Sequence, residues 1–220
     1  MHTYSHSEQL RSKIGLVFQE LAGAVDELLN HPSLAAIYPE YLFALYSMTR
    51  ATVPVMEEAL AKAQALAETD QVAAPLARYL EKHIPEEQHS HWLLEDLEAL
   101  DFERSAVLAR LPSPGVAALI GSQYYWIHYV HPVALLGYME LAEGYPPTDE
   151  WVGRLQARTG YPREAFRSLE RHAYVDLAHR DELHAVLDAL PLTASQVAVI
   201  GLNAIQSVHL GAKVLRDLLH

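Results

Sequence analysis

Apolar residues recur at three- and four-residue steps along this chain of 220 residues, as in the series Leu10, Ile14, Val17, Leu21 and Val25. This period is typical of amphipathic helices, and no segment shows the strict alternation of a half-buried strand. The sequence contains no internal repeat and no long linker, and its hydrophobic fraction of 50% supports a substantial core. The pattern therefore predicts an all-α protein with a single helical domain over residues 1–220.

Capping and helix-breaking residues divide this pattern into about seven helices. Ser5 with Glu8 and Thr193 with Gln196 match the capping-box pattern, and Ser113 precedes a proline suited to a first helical turn. The expected helical regions are 5–30, 33–68 with Pro39 and Pro54 inside, 70–100 with Pro85 inside, 113–144, a short helix before Gly160, 163–190, and 193 onward.

The charge and the residue types exclude several classes of protein. Sixteen Lys and Arg against 28 Asp and Glu give a net charge of -12, which argues against a nucleic-acid partner. The chain has no cysteine, so a metal would be held by nitrogen and oxygen ligands. We find no signal-peptide pattern and no apolar run near the ~18 residues of a membrane span, so we expect a cytoplasmic protein without a membrane partner.

The strongest chemical signal is the segment from His172 to His179, which also contains Asp176. Residues at i, i+4 and i+7 fall within about 60° of one another on a helix, so one face presents imidazole, carboxylate and imidazole. These are typical ligands of a non-haem iron site. The alternative for this segment is a solvated helix face on which Asp176 bridges the two histidines.

Two further segments supply the same ligand types. Glu86 and His89 match the Glu-x-x-His pattern of di-iron helical bundles. Because consecutive residues point about 100° apart on a helix, only one of Glu86 and Glu87 can face the His89 side, and we favour Glu86. Glu143 ends a helix that is almost free of charge. The alternatives that stay open at this point are Glu81 or Glu87 in place of Glu86, and His91 in place of His89.

These segments resemble the haem-oxygenase-like di-iron oxidases and oxygenases, often called iron-containing redox enzymes, which are relatives of TenA and PqqC. The resemblance rests on residues 86–97, on the segment from His131 to Gly144, and on His172-x3-Asp176-x2-His179. It implies a seven-helix up-down bundle. It also implies six metal ligands, three carboxylates and three histidines: Glu86, His89, Glu143, His172, Asp176 and His179.

The resemblance implies two iron ions, with manganese as the alternative metal, and oxygen-dependent chemistry on a small amino- or fatty-acid-like substrate. Glu86, Glu143 and Asp176 would also serve catalysis. A metal-free enzyme like PqqC or TenA and a non-catalytic iron-binding protein remain alternatives, although TenA-type chemistry needs a cysteine that this chain lacks. The expected partners are oxygen and the substrate, with a second copy of the chain in a homodimer as an open alternative.

Overall fold

Helices account for all the regular secondary structure between residues 4 and 220, the part of the chain that the computed structural model describes. The α-helices are α1 His6–Gly15, α2 Phe18–Asn30, α3 Leu34–Leu66, α4 Ala73–His83, α5 His91–Glu98, α6 Arg104–Ala109, α7 Pro114–Tyr129, α8 Leu135–Glu143, α9 Asp149–Thr159, α10 Arg167–Ala189 and α11 Ala194–Asp217. Two short 3-10 helices, Pro132–Ala134 and Arg163–Phe166, lead into α8 and α10.

The all-α class is confirmed, but the count of seven helices is not. The helix expected over 70–100 ends at His83 and resumes at His91, around Pro85, and the helix expected over 113–144 is interrupted around Pro132. Proline lacks the amide hydrogen of a helical bond and clashes with the preceding turn, which accounts for both interruptions. The single helix expected over 5–30 is likewise divided into two helices, α1 and α2.

The start signals in the sequence are confirmed. Ser5 accepts a hydrogen bond from the Glu8 amide, and the reciprocal bond completes a capping box at α1. Thr193 and Gln196 form the same arrangement at α11. The expected long helix over 33–68 is also present, with Pro39 and Pro54 inside α3.

Helix α11 packs against α1, α2, α7 and α8. By length and composition alone it is also long and apolar enough to cross a membrane, the one such helix among residues 4–220, whereas the sequence predicts no apolar run near ~18 residues. Asn203 on this helix is buried and donates a hydrogen bond to the Gln123 side chain on α7 at 2.7 Å. Burial of a polar side chain against a neighbouring helix is typical of a core helix.

Gly137 marks a very close approach of α8 to α11. A Cβ atom at this position would lie 2.3 Å from the Ile200 carbonyl oxygen and 2.7 Å from the Ala204 amide nitrogen. Only a residue without a side chain allows two helix backbones to approach so closely. The position of α8, which ends at Glu143, is therefore fixed against α11.

Candidate metal centre

Helix α10 presents His172, Asp176 and His179 toward the interior, as the sequence predicts. Asp176 and His179 are buried, and His172 is largely so. The Nδ1 atom of His172 lies 2.6 Å from the carbonyl oxygen of Ser168. Because a carbonyl can only accept, Nδ1 carries the proton and Nε2 keeps its lone pair for another partner.

The N-terminus of α10 is held by a buried carboxylate on another helix. Asp96 on α5 is fully buried and accepts a hydrogen bond from the Ser168 amide at 3.0 Å, and the Ser168 hydroxyl bonds to the same carboxylate. The first amides of a helix have no partner within it, so this carboxylate satisfies one of them. Asp96 thereby fixes the helix end from which His172 extends.

The segment between α4 and α5 is a turn rather than the expected helix, and it sends Glu86 and Glu87 in different directions. Glu87 and His89 are buried, at 8% and 5% exposure. The side chain of Glu86 is 41% exposed, with its Oε2 atom 3.6 Å from the His179 Nε2 atom. Since these residues are not helical, the argument from a 100° helical spacing does not apply to them.

Two helix ends complete the cluster. Glu143, the last residue of α8, is 4% exposed, and His83, the last residue of α4, is fully buried. The His83 Nε2 atom lies 3.4 Å from Glu143 Oε1. One potential ligand atom from each of His83, Glu143 and His179 lies within 4.8 Å of the other two, which is close enough for one metal ion.

The Glu87 carboxylate lies between two groups of imidazoles. Its Oε1 atom is 3.0 Å from His179 Nδ1 and 3.6 Å from His83 Nε2, while its Oε2 atom is 3.6 Å from His89 Nε2. The His89 ring in turn meets the His172 ring at a centroid distance of 4.8 Å. A carboxylate with one oxygen on each side has the arrangement of a bridge between two cations.

Three carboxylates share this buried region, and their pKa values reflect it. Burial, together with the nearby charges of Glu143 and Glu87, raises the pKa of Asp176 to about 8. Burial also raises the pKa of Glu143. Burial by itself would raise the pKa of Glu87, but its contacts with His179 and His89 have the larger combined effect, so the pKa of Glu87 is lowered. Two of the three carboxyl groups, Asp176 and Glu143, therefore keep their protons to a higher pH than an exposed carboxyl group does, while Glu87 stays ionised beside the histidines.

Several buried polar atoms of the cluster have no hydrogen-bond partner among residues 4–220. They are His83 Nδ1, both ring nitrogens of His89, Glu143 Oε2, and His179 Nδ1, which lies 3.0 Å from Glu87 Oε1 but forms no hydrogen bond of good geometry with it. Buried polar atoms are nearly always satisfied, and an unsatisfied group calls for an ion or water. Divalent iron, manganese and zinc bind imidazole nitrogens and carboxylate oxygens that have free lone pairs. The residues of the cluster therefore fit a metal ion.

A cavity of about 630 Å³ reaches this cluster. Glu87, His89, Glu143, His172 and Asp176 line one part of it. The remaining walls are mainly apolar and are contributed by α2, α3, α8 and α11, among other elements. A volume of this size suits a small organic ligand, and its contact with the cluster brings that ligand to the metal-binding atoms.

The structure thus brings five of the six predicted ligands into the buried cluster: His89, Glu143, His172, Asp176 and His179. Glu86 lies at the edge, and the alternatives Glu81 and His91 are exposed. His83, which also lies in the cluster, is not among the residues predicted from the sequence. Its spacing of four residues before Glu87 is the signal that was available, although the turn at Pro85 makes a helical reading of that spacing invalid.

No protein-family model matches the sequence, and no curated protein is detectably similar to it. Solved structures do resemble it. One is a domain of unknown function with a haem-oxygenase-like fold from Shewanella denitrificans, with a TM-score of 0.78, 22% identity, and coverage of 94% of this chain and 89% of that one. Another is a TenA homologue from Pseudomonas syringae pv. tomato, with a TM-score of 0.66, 13% identity, and coverage of 94% and 92%. The chain therefore has a haem-oxygenase-like fold.

Proposed function

We propose that this protein is a non-haem di-iron oxidase or oxygenase that acts on a small organic substrate and works in the cytoplasm without a membrane or nucleic-acid partner. The observation that carries the proposal is the buried cluster of imidazoles and carboxylates with unused lone pairs, open to a cavity of about 630 Å³. A ligand set that combines imidazole nitrogens with carboxylate oxygens favours iron, with manganese as the alternative.

The proposed ligands form two groups that share one carboxylate. His83, Glu143 and His179 make up the first, and their ligand atoms lie within 4.8 Å of one another. The second group consists of His89, His172 and Asp176. Glu87 contacts both groups and would bridge them. We assign Glu87 this role in place of Glu86 because Glu87 is buried and Glu86 is exposed.

The protein residues have separable tasks in this proposal. Bound iron would supply the oxygen activation, as metal ions do where coordination positions stay open. Asp96 and Ser168 orient His172 through the end of α10. Asp176 and Glu143 have raised pKa values and can hold a proton in the metal-free protein, which they release when a cation binds. Most of the remaining cavity wall is apolar and offers water few hydrogen-bond partners.

Anaerobic loading with Fe(II), followed by iron analysis, is the direct test. We expect two irons per chain, an optical change when oxygen is admitted, and oxygen uptake that depends on a substrate. Replacing His172 or His179 with Ala should remove at least one iron. The assignment fails if both variants keep the full iron content.

Glu143→Gln provides a second test because it keeps the shape of the side chain while removing its charge. We expect this variant to fold, and to lose oxygen consumption to a greater degree than it loses stability. An unchanged rate of oxygen consumption with iron fully bound would remove Glu143 from the proposed machinery.

A metal-free enzyme on the same scaffold is the second candidate, and the likeness to the TenA homologue is the observation that favours it. A metal-free enzyme would leave the buried atoms of His89 and Glu143 that lack a hydrogen-bond partner without a role. Metal analysis separates the two candidates. A protein that binds iron at full stoichiometry but consumes no oxygen with any substrate would instead fit a non-catalytic iron-binding protein.

A further inference from the structure

The two ring nitrogens of His83 face different groups. Its Nε2 atom lies 3.4 Å from Glu143 Oε1 and 3.6 Å from Glu87 Oε1, inside the buried cluster. Its Nδ1 atom lies 3.9 Å from Glu86 Oε2 and has no hydrogen-bond partner among residues 4–220. A metal ion held together with Glu143 takes Nε2 and leaves Nδ1 unsatisfied. Since the His83 side chain is only 1% exposed, its Nδ1 atom calls for a partner of its own.

Two carboxylates that reach solvent lie beside this nitrogen. Glu86 belongs to the turn after α4, and Glu182 belongs to α10. One potential ligand atom from each of His83, Glu86 and Glu182 lies within 4.8 Å of the other two. Two carboxylates and an imidazole form a ligand set that suits divalent iron or manganese. Glu87 and Glu143 line the cavity but Glu86 and Glu182 do not, so this second group opens to solvent on another side.

His179 has the same two-sided placement as His83. Its Nδ1 atom lies 3.0 Å from the buried Glu87 Oε1, and its Nε2 atom lies 3.6 Å from the exposed Glu86 Oε2. The rings of His83 and His179 meet edge-on, with their centroids 4.7 Å apart. The two imidazoles therefore lie between an exposed carboxylate and a buried one, and each has one nitrogen toward either side.

We propose that His83, Glu86 and Glu182 form an outer cation site, which captures a divalent metal ion and passes it through His83 to the buried cluster. This assignment rests on the proposed di-iron function and adds a loading route that is separate from the cavity. A neutral imidazole has a single lone pair. In the metal-free protein Nε2 donates its proton toward Glu143, and Nδ1 is free for the outer ion. After transfer Nε2 binds the ion and Nδ1 carries the proton, so His83 serves one ion at a time.

Lys82 holds Glu182 in the metal-free protein. Its Nζ atom lies 2.5 Å from Glu182 Oε1, and both side chains are accessible to solvent. An exposed ion pair contributes little to stability, so a divalent cation can displace the ammonium group from the carboxylate. The lysine occupies a position where a positive charge is favourable, and it competes with the incoming ion. Its removal should therefore promote capture.

Stopped-flow mixing of the anaerobic metal-free protein with Co(II) tests the route, because bound cobalt has a d–d absorption band. The filling rate of the parent protein should saturate as Co(II) rises, since capture precedes transfer. Glu182→Gln and Glu86→Gln should each lose this saturation and fill about tenfold more slowly at low Co(II), with the same final cobalt content. Glu81→Gln is the matched control, because it removes an exposed carboxylate of α4 that bonds to Gln64, and it should fill like the parent.

Lys82→Ala distinguishes a capture site from a merely structural ion pair. It should fill about threefold faster than the parent protein at low Co(II), because a repelling charge is removed beside the outer site. Slower filling in Lys82→Ala would overturn the assignment, since it would mean that the ion pair itself maintains the site.

The final cobalt content separates this proposal from the di-iron function. Equal filling rates in the parent protein and Glu182→Gln, or equal slowing by Glu182→Gln and Glu81→Gln, would overturn the outer site, while two bound ions would leave the di-iron function standing. A parent protein that binds a single ion, which Glu182→Gln releases, would keep the outer site and overturn the two-metal function. A parent protein that binds no cobalt would overturn both.

Discussion

Helix α10 and the turn at residues 84–90 both contribute side chains to the candidate metal centre, and they hold these side chains by different means. On α10, His172, Asp176 and His179 are three positions of one hydrogen-bonded helix. In the turn, Glu87 and His89 are placed by local bonds, such as the one from the His89 amide to the Glu87 carbonyl at 2.8 Å. A change at the end of α10 should therefore move three ligands together, whereas a change in the turn should affect one.

The largest effect is expected from a matched pair of variants in the turn. Glu87→Gln should remove at least one iron per chain, because it takes a negative charge from between the two groups of ligands. Glu86→Gln should keep both irons, because the Glu86 side chain is 41% exposed at the edge of the cluster. Iron analysis after anaerobic loading measures both, and the reverse result would return the assignment to Glu86.

The second largest effect is expected from metal removal, which should lower the stability of the protein and loosen α10 in particular. Burial, and then the charges of Glu143 and Glu87, raise the pKa of Asp176 to about 8, so without a cation this buried group holds a proton that metal binding must displace. Metal at a hundred times its dissociation constant should stabilise the protein by about 2.7 kcal/mol. Hydrogen exchange should be faster over residues 165–181 in the metal-free form. Equal protection of this segment in both forms would mean that the site is preformed.

The third effect tests how the end of α10 is held. Burial raises the pKa of Asp96 from 3.8 to about 6. Between these values the folded protein binds more protons than the unfolded chain, so stability falls as pH rises from about 4 to about 6. The expected size is on the order of 2 kcal/mol. Urea unfolding at both pH values should show this loss in the parent protein and a smaller loss in Asp96→Asn. If stability changed equally between the two pH values in the parent protein and in Asp96→Asn, the raised pKa of Asp96 would be contradicted.

The smallest effect should come from Trp92, which contacts both the turn and α10. Its ring stacks on His89 at a centroid distance of 4.5 Å and meets His172 edge-on at 5.7 Å. An aromatic pair contributes about 1 kcal/mol, so Trp92→Leu should weaken binding of one iron about fivefold. Trp92→Phe should restore most of this loss. Equal iron affinity in all three proteins would show that the stack does not orient His89.

The same contrast explains what the sequence could predict. The spacing of His172, Asp176 and His179 has a structural meaning only on a helix, and α10 is continuous, so their shared face was predictable. The choice between Glu86 and Glu87 depended on a helix that Pro85 interrupts. Inside a turn, adjacent residues have no fixed angular relation, so only the structure could distinguish their directions.

The same reasoning applies to His83 and to the fold. His83 ends α4, and its partner Glu143 ends α8, so their contact depends on how two helices meet and not on spacing. The all-α class followed from an apolar period present along the entire chain. The number of helices did not follow, because the sequence contains prolines that a helix tolerates, as in α3, and prolines that interrupt one, as at Pro132.

The contact at Gly137 has a consequence for how such a site can change over evolutionary time. Any side chain at this position would displace the backbone of α8 from that of α11, because Ile200 and Ala204 leave no space for even one carbon atom. Glu143 lies at the end of the same short helix, so a displacement there would be carried to its carboxylate. A residue with no side chain, on the face of α8 that meets α11, thus constrains which sequences can keep the distance between Glu143 and His83.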